Sequence, residues 1–401
     1  MTVILPDAPW RHRPGLDGLL VALGVAQGEA RFVGGAVRDT LLGQPTSDID
    51  IATIHQPAQV LERLTAAGIK AIPTGIAHGT LTAVLEGRPV EITTLRRDVS
   101  TDGRRATVAF TADWREDAAR RDFTMNALYA DPASGAIFDY HGGVADLQAG
   151  HVRFIGRAED RIAEDHLRIL RYFRFLARFG DGQPDAAAYA ACIAQANSLM
   201  ALSRERIADE MIKLLATVDP VPAMRLIVDG GILVPVLPEV VGAGVAHLQC
   251  LIAREGQAGI EPSPIRRLCA LLPADPALGE AVAKRLKLSG KARKRIVTAL
   301  SDDPYQNAAA LAYRIGAEGA IDRLLLSDGK LADIPSLLGW SRPTLPVGGA
   351  ALIARGMTAG PAIAETLRSI EDQWVAEGFP EAGRVNRITD QIVTKFQRAR
   401  Q

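Results

Sequence analysis

The sequence predicts a mixed α/β head followed by an all-helical remainder, and three observations carry that expectation. The first 150 residues are rich in glycine and in alternating apolar and polar positions, the period-two pattern of half-buried strands. Within them Arg31-Phe32-Val33 reads as a strand that breaks at Gly34-Gly35 and gives way to helical spacing from Ala36 to Leu42. From Asp160 onward leucine and alanine recur at helical spacing, with no convincing strand.

Taken in order, Leu16, Leu19, Leu20 and Leu23 form a helical stripe ahead of the glycine turn. The next strand, Ser47 to Ala52, alternates Asp48, Ile49, Asp50 and Ile51. Residues 79–85 and 89–95 read as a hairpin joined around Gly87-Arg88. Residues 98–119 are polar and turn-rich and read as a long mobile loop, an uncommon feature that is often functional. Arg120-Arg121-Asp122 is expected to begin a short helix running through Ala127. The domain boundaries expected are a head over 1–150, a helical neck over 151–215 and a helical body and tail over 216–401.

At 401 residues the chain holds two to four structural units on a prior of roughly 150 residues each. Hydrophobic content of 48% and charged content of 23% are those of an ordinary globular protein. Formal net charge is zero, so a nucleic-acid surface must be a local patch. No apolar run approaches the ~20 residues that span a bilayer, and the charges and prolines of the N-terminus are unlike a signal peptide. Cys192, Cys250 and Cys269 match no metal or disulfide framework and read as small buried hydrophobes. A cytoplasmic protein is expected.

The chemistry concentrates in the glycine turn and the strand after it. Two glycines between strand and helix let backbone N–H groups approach a phosphate chain. Side chains two apart share a strand face, so Asp48 and Asp50 project together while the isoleucines enter the core. Paired carboxylates beside a phosphate cradle suit Mg²⁺ shared with a nucleoside triphosphate; the plain alternative is a solvated acidic strand. Glu91, between inward-pointing Val90 and Ile92, shares a face with Thr93, and a solvated strand glutamate is the plain alternative to a functional role. Asp122 reads locally as a helix N-cap, with Asn126 four residues on. Asp165 and Arg168, three apart, read as helical neighbours, with a structural ion pair as the plain alternative to a functional role. Arg171, Arg174 and Arg178 continue that helix, with Arg168, Arg171 and Arg178 near one stripe. Residues 281–300 carry Lys284, Arg285, Lys287, Lys291, Arg293, Lys294 and Arg295 and no acid. Such a run is either a solvated face or a contact for nucleic-acid phosphates.

An ordered set of motifs adds to this. Gly34-Gly-Ala-Val-Arg-Asp through Asp48-Ile-Asp, Gly75-Ile-Ala-His-Gly-Thr-Leu-Thr, Val90-Glu-Ile-Thr-Thr-Leu-Arg, Arg120-Arg-Asp-Phe-Thr-Met-Asn-Ala-Leu and Glu164-Asp-His-Leu-Arg follow one another. A weaker sixth match is Arg204-Glu-Arg-Ile-Ala-Asp-Glu-Met-Ile-Lys-Leu-Leu. Together they resemble the CCA-adding tRNA nucleotidyltransferase and bacterial poly(A) polymerase family, over roughly residues 30–240. The resemblance implies a nucleotidyltransferase head and template-independent addition of C and A to the 3′ end of tRNA from CTP and ATP, with Mg²⁺ and release of pyrophosphate. It implies that Asp48 and Asp50 hold the metals, with Glu91 as the third carboxylate. Gly34, Gly35, Arg38 and Arg121 would meet phosphate, with pairing to Asp39 as the alternative for Arg38. Asp122 and Asn126 would hold the ribose side, and Arg171 would belong to the same nucleotide site.

It also implies that Asp165 and Arg168 read the base. Cytosine and adenine both present an amino donor beside a ring-nitrogen acceptor, and uracil and guanine the reverse. A carboxylate offers only acceptors and a guanidinium only donors, so one pair suits C and A and opposes U and G. His166 stands where the family commonly has proline, outside the base-reading positions. The Ile76-Ala-His-Gly-Thr-Leu-Thr segment resembles the CCA-adding pattern rather than the arginine-rich polyadenylating one. A poly(A) polymerase, a partial CC- or A-adding enzyme and a non-catalytic RNA-binding protein are the alternatives. Residues 264–273 resemble the helix before a His-Asp phosphohydrolase motif, but no His-Asp pair follows and His247 stands alone. No such activity is expected.

Overall fold

Alternation in the first half of the chain becomes a seven-stranded mixed sheet in a computed structural model, which describes residues 3–46, 48–101, 106–327 and 329–398. The strands are β1 (Ala30–Val33), β2 (Asp50–Thr53), β3 (Lys70–Gly75), β4 (Thr80–Leu85) and β5 (Arg88–Thr94), then, after a separate hairpin of β6 (Arg96–Thr101) and β7 (Ala106–Phe110), β8 (Leu128–Ala130) and β9 (Ile137–Asp139). The sheet runs β3-β4-β5-β2-β1-β8-β9, and only the β2–β5 pair is parallel. That pair sets Asp50 opposite Glu91, on one face because parallel partners in register point alike.

The expected hairpin is β4–β5. Its loop is Glu86-Gly87, both at positive φ (48° and 79°), the two-residue type I′ turn whose twist matches the strands it joins. The strand expected at Ser47–Ala52 begins at Asp50 instead; Ser47 lies outside the described residues. The ladder still reaches one residue further, since Glu91 N–H donates to Ile49 C=O at 3.0 Å.

The helices of the head and neck are α1 (Leu16–Ala22), α2 (Gly35–Leu41), α3 (Pro57–Ala66), α4 (Trp114–Ala119), α5 (Gly143–Ala149), α6 (Ala158–Glu164), α7 (Arg168–Phe179), α8 (Ala186–Ala194), α9 (Arg204–Leu215) and α10 (Val221–Asp229). The leucine stripe of α1 is buried, as expected. The segment read as a long loop is not one: it holds the β6–β7 hairpin and α4, although residues 102–105 lie outside the description. Asp113 caps α4 by accepting from Arg115 N–H at 2.8 Å, and Thr111 Oγ1 donates to Glu116 at 2.6 Å. The helix expected over 120–127 shrinks to a 3₁₀ turn at Thr124–Asn126. Phe123 is the reason: it is extended (φ −116°, ψ 149°) and fully buried among Phe154, Phe175 and Tyr172, a burial worth about 2–3 kcal/mol.

The chain divides into two compact units, Met1–Pro238 and Glu239–Gln401. The second has helices and no strand among its described residues: α11 (Gly242–Ala258), α12 (Pro264–Leu271), α13 (Pro276–Arg285), α14 (Gly290–Leu300), α15 (Ala308–Ile315), α16 (Ala317–Leu326), α17 (Gly349–Ile353), α18 (Pro361–Ala376) and α19 (Ala382–Arg398). A buried ionic network ties α11, α12, α14 and α16 together. Glu255 accepts from Arg266 (2.6 Å) and Arg267 (3.0 Å), and Asp322 from Arg266 (3.1 Å) and Arg295 (2.6 Å).

Candidate active site

Gly34 adopts φ +70°, ψ −125°, a region open to glycine and strained for any side chain. A Cβ there would lie 3.6 Å from Arg121 Nη1 and 3.9 Å from Asp50 Oδ2. The space it leaves open is therefore faced by a guanidinium, a carboxylate and the first turn of α2. Ile49 and Ile51 are buried, Asp48 is exposed and Asp50 half-buried, so the alternation places the acids as expected. Burial, then the Glu91 carboxylate, then Asp48 push Asp50 up to about 6, against the pull of Arg121 and Arg38. Glu91 itself is exposed.

This crowding of acidic charge is what a bound cation relieves. Among the described residues, no group of three or more His, Cys, Asp or Glu side chains could hold a metal by itself. The donor set fits a hard divalent ion that keeps much of its shell for phosphate oxygens and water, rather than a closed cage.

Arg38 is committed inside the protein. It pairs with Asp39 at 2.6 Å, donates to Asn126 Oδ1 at 2.5 Å and lies 4.2 Å from the Phe179 ring. Pairing with Asp39, one of the two alternatives for this residue, is what the geometry displays, and Arg178 joins at 3.1 Å. Asn126 passes the chain of contacts on, its Nδ2 donating to Asp122 Oδ1 at 2.9 Å. Asp122 and Asn126 thus meet across a turn, not on a helical face. Asp122 is buried, which raises its carboxyl, but Arg171 at 2.8 Å and Asn126 outweigh burial and hold it at about 2.

Asp165 and Arg168 do not sit on one continuous helix. Asp165 terminates α6 in an extended conformation (φ −150°, ψ 107°), and its Oδ1 accepts from Leu167 N–H at 3.1 Å, which starts α7 afresh. The ion pair that was the plain alternative for these two residues does not form. Asp165 Oδ2 instead accepts from Arg206 at 2.7 Å. Arg168 donates to Glu164, to Arg161 C=O at 2.8 Å and to Arg120 C=O at 3.2 Å. Along α7, Ile169, Leu170, Tyr172, Phe173, Phe175 and Leu176 are buried, and the arginines take the opposite stripe. Arg174 pairs with the buried Glu210 at 2.6 Å.

Sequence reasoning missed Asp117, Tyr129, Arg206 and Glu210 as parts of this site, and gave Glu164, the first residue of the fifth motif, no role. For Arg206 and Glu210 a signal existed, since both lie in the sixth motif. In the second unit, three members of the basic run are already paired, which the absence of acids within 281–300 concealed. Arg285 meets Glu239 at 2.7 Å, Arg295 meets Asp322 and Glu318, and Lys284 meets Glu280 at 2.9 Å. Lys287, Lys291, Arg293 and Lys294 are exposed. Of the cysteines, Cys192 and Cys269 are buried, and burial pushes both thiols up. Cys250 is exposed, contrary to expectation, because α11 buries Val245, Leu248, Leu251 and Glu255 and turns Cys250 off that stripe.

A strand–glycine–helix turn beside paired acids, on a mixed sheet followed by helices, defines a nucleotidyltransferase architecture. Residues 30–153 match the "Poly A polymerase head domain" model, and residues 183–242 match "Probable RNA and SrmB- binding site of polymerase A". The mitochondrial CCA tRNA nucleotidyltransferase 1 of Mus musculus is 36% identical over 91% of this chain and 87% of its own length. A CCA-adding enzyme of Geobacillus thermodenitrificans is 41% identical over 51% of this chain and 50% of its own length. Among solved structures, the Bacillus stearothermophilus CCA-adding enzyme in complex with CTP aligns with a TM-score of 0.76 at 28% identity, over 96% of this chain and 100% of that one. The chain belongs to the CCA tRNA nucleotidyltransferase family.

The expectation of a cytoplasmic location does not stand, because the mouse, human and zebrafish relatives that match most of the chain are all named as mitochondrial enzymes. No described helix is long and apolar enough to cross a membrane.

Proposed function

We propose that this protein adds C and A to the 3′ end of tRNA from CTP and ATP, without a nucleic-acid template, and releases pyrophosphate. The observation that carries the reading is the arrangement of Asp165 and Arg168. They stand on either side of the α6–α7 break, are not spent on one another, and are each held by other groups. An acceptor and a donor kept apart in this way match the amino group and ring nitrogen shared by cytosine and adenine.

Enzymes of this family use divalent cations, and Mg²⁺ is the ion proposed, on Asp48 and Asp50. When bound, it supplies neutralisation of phosphate charge and a lowered pKa for the attacking 3′-hydroxyl. The glycine turn presents backbone N–H groups, Arg121 faces the same space, and Glu91 borders it on β5. Asp122, clamped by Arg171 and Asn126, is proposed with Asn126 for the ribose side. The domains proposed are a catalytic head over 1–150, a neck over 151–215 and a tRNA-binding body and tail over 216–401.

The test is purified protein with tRNA transcripts lacking the terminal CCA, single labelled nucleotides and Mg²⁺. Two C additions followed by one A and a stop support the reading. Long A tracts point to poly(A) synthesis, and CC or A alone to a partial enzyme. Binding of tRNA without incorporation leaves an RNA-binding protein.

A further inference from the structure

Asp117 lies in the segment that the sequence presented as a loop, yet its side chain is only 1% exposed. Both of its oxygens are fully used. Oδ1 accepts from Arg120 Nε and Nη2 at 2.9 and 2.7 Å, and from Arg96 N–H at 3.2 Å. Oδ2 accepts from the Tyr129 hydroxyl at 2.6 Å and from Arg121 Nε and Nη2 at 3.3 and 3.2 Å. Arg121 Nε also donates to Tyr129 Oη at 3.2 Å.

One carboxylate thus serves two guanidiniums, and the local charge stays positive by one. The Nε–Nη2 edge of Arg121 is fixed by Asp117 and Tyr129, which turns Nη1 toward the Gly34 turn and Asp50. A carboxylate placed only to neutralise a buried arginine needs one partner. Here the second arginine is oriented, not cancelled. We propose that Asp117, through the Tyr129 hydroxyl, is a positioning residue that aims Arg121 at the triphosphate of the incoming nucleotide. This rests on the reading above that Arg121 binds that triphosphate.

The prediction is a loss of phosphate affinity without a change in base choice. Tyr129→Phe keeps the ring packed against Trp114 and Tyr140 and removes one O–H. It is expected to raise KM for CTP and ATP about three- to tenfold, the worth of one internal hydrogen bond. Inhibition by pyrophosphate weakens by the same factor, and preference over UTP and GTP is retained. Asp117→Asn has the larger effect of the same kind; should it fail to fold, Tyr129→Phe decides. Arg121→Lys raises both constants at least as much, and Tyr129→Phe added to it brings no further loss. If Arg121→Lys raises KM and weakens pyrophosphate binding while Tyr129→Phe lowers only melting temperature or kcat, the positioning role is wrong. If Arg121→Lys leaves both constants at wild-type values, the triphosphate reading of Arg121 fails and the inference falls with it.

Discussion

Replacing Asp50 by Asn tests whether the candidate metal site is a source of instability in the metal-free protein. Asp50 is pushed from its ordinary 3.8 up to about 6, first by burial and then by Glu91. The folded state therefore keeps a proton that the unfolded chain releases between about pH 4 and pH 6. Over that window stability falls as pH rises, because the native state binds more protons than the unfolded one. Above pH 6 the whole cost is present, about 3 kcal/mol for roughly two pH units at 1.36 kcal/mol each. Asn removes the charge and keeps the shape. In chelator-treated protein at pH 8, Asp50→Asn is expected to be more stable by up to about 3 kcal/mol, or roughly 6–12 °C in a unit of this size. At pH 4.5 most of the advantage disappears. Saturating Mg²⁺ raises the melting temperature of the wild type and narrows the gap, while the variant incorporates neither C nor A. Calorimetry of the full chain at both pH values is the assay. A variant that melts no higher than wild type at pH 8, or equally higher at both pH values, refutes the reasoning.

Arg168→Ala removes the donor proposed for the C and A ring nitrogens and is expected to reduce selectivity over UTP and GTP about ten- to hundredfold; kcat/KM for all four triphosphates measures it, and equal slowing of all four contradicts the base-reading role. Neutralising Lys291, Arg293 and Lys294 together is expected to weaken tRNA binding and lower its salt slope by about 2–3, with affinity for CTP unchanged; a slope that stays constant marks α14 as a solvated surface. Arg295→Gln acts differently, because it deprives the fully buried Asp322 of one of its two arginines. It is expected to cost about 3 kcal/mol in urea denaturation, near the low end for a broken buried pair, with the salt slope of tRNA binding little altered.

Local signals were enough for the elements that touch the proposed substrate. The glycine pair, the Asp-Ile-Asp alternation and the β4–β5 hairpin are short-range patterns, and each lies close to where it was expected. What escaped is tertiary. The β6–β7 hairpin pairs only with itself, so its strands carry little of the alternation that a sheet face imposes on β4. Helix α4 is six residues long, too short for a helical period to register. The break at Asp165 is held by contacts of its carboxylate with Leu167 N–H and with the distant Arg206, and residue spacing alone reads straight through it. Arginine partners are the least legible of all. Arg206 and Asp165 are 41 residues apart, and Arg174 and Glu210 are 36 apart.

These distant partners bear on specificity. A free aspartate and arginine three residues apart on an unbroken helix find each other, and an ion pair so formed must be opened before either can meet a base. The break at Asp165 removes that neighbour relation. Glu164 and the Arg161 carbonyl then take Nη1 of Arg168, the Arg120 carbonyl takes Nη2, and Arg206 takes one oxygen of Asp165. Each side chain is already oriented by protein groups, so under the proposed base-reading role the ordering cost is met during folding rather than at each nucleotide addition. Under that proposal the sixth motif belongs to the specificity apparatus as much as to the core. Arg206 on α9 holds Asp165, and Glu210 one turn later holds Arg174 beside the Arg171 clamp, so under that proposal α9 helps to set the geometry in which CTP and ATP would be told from UTP and GTP.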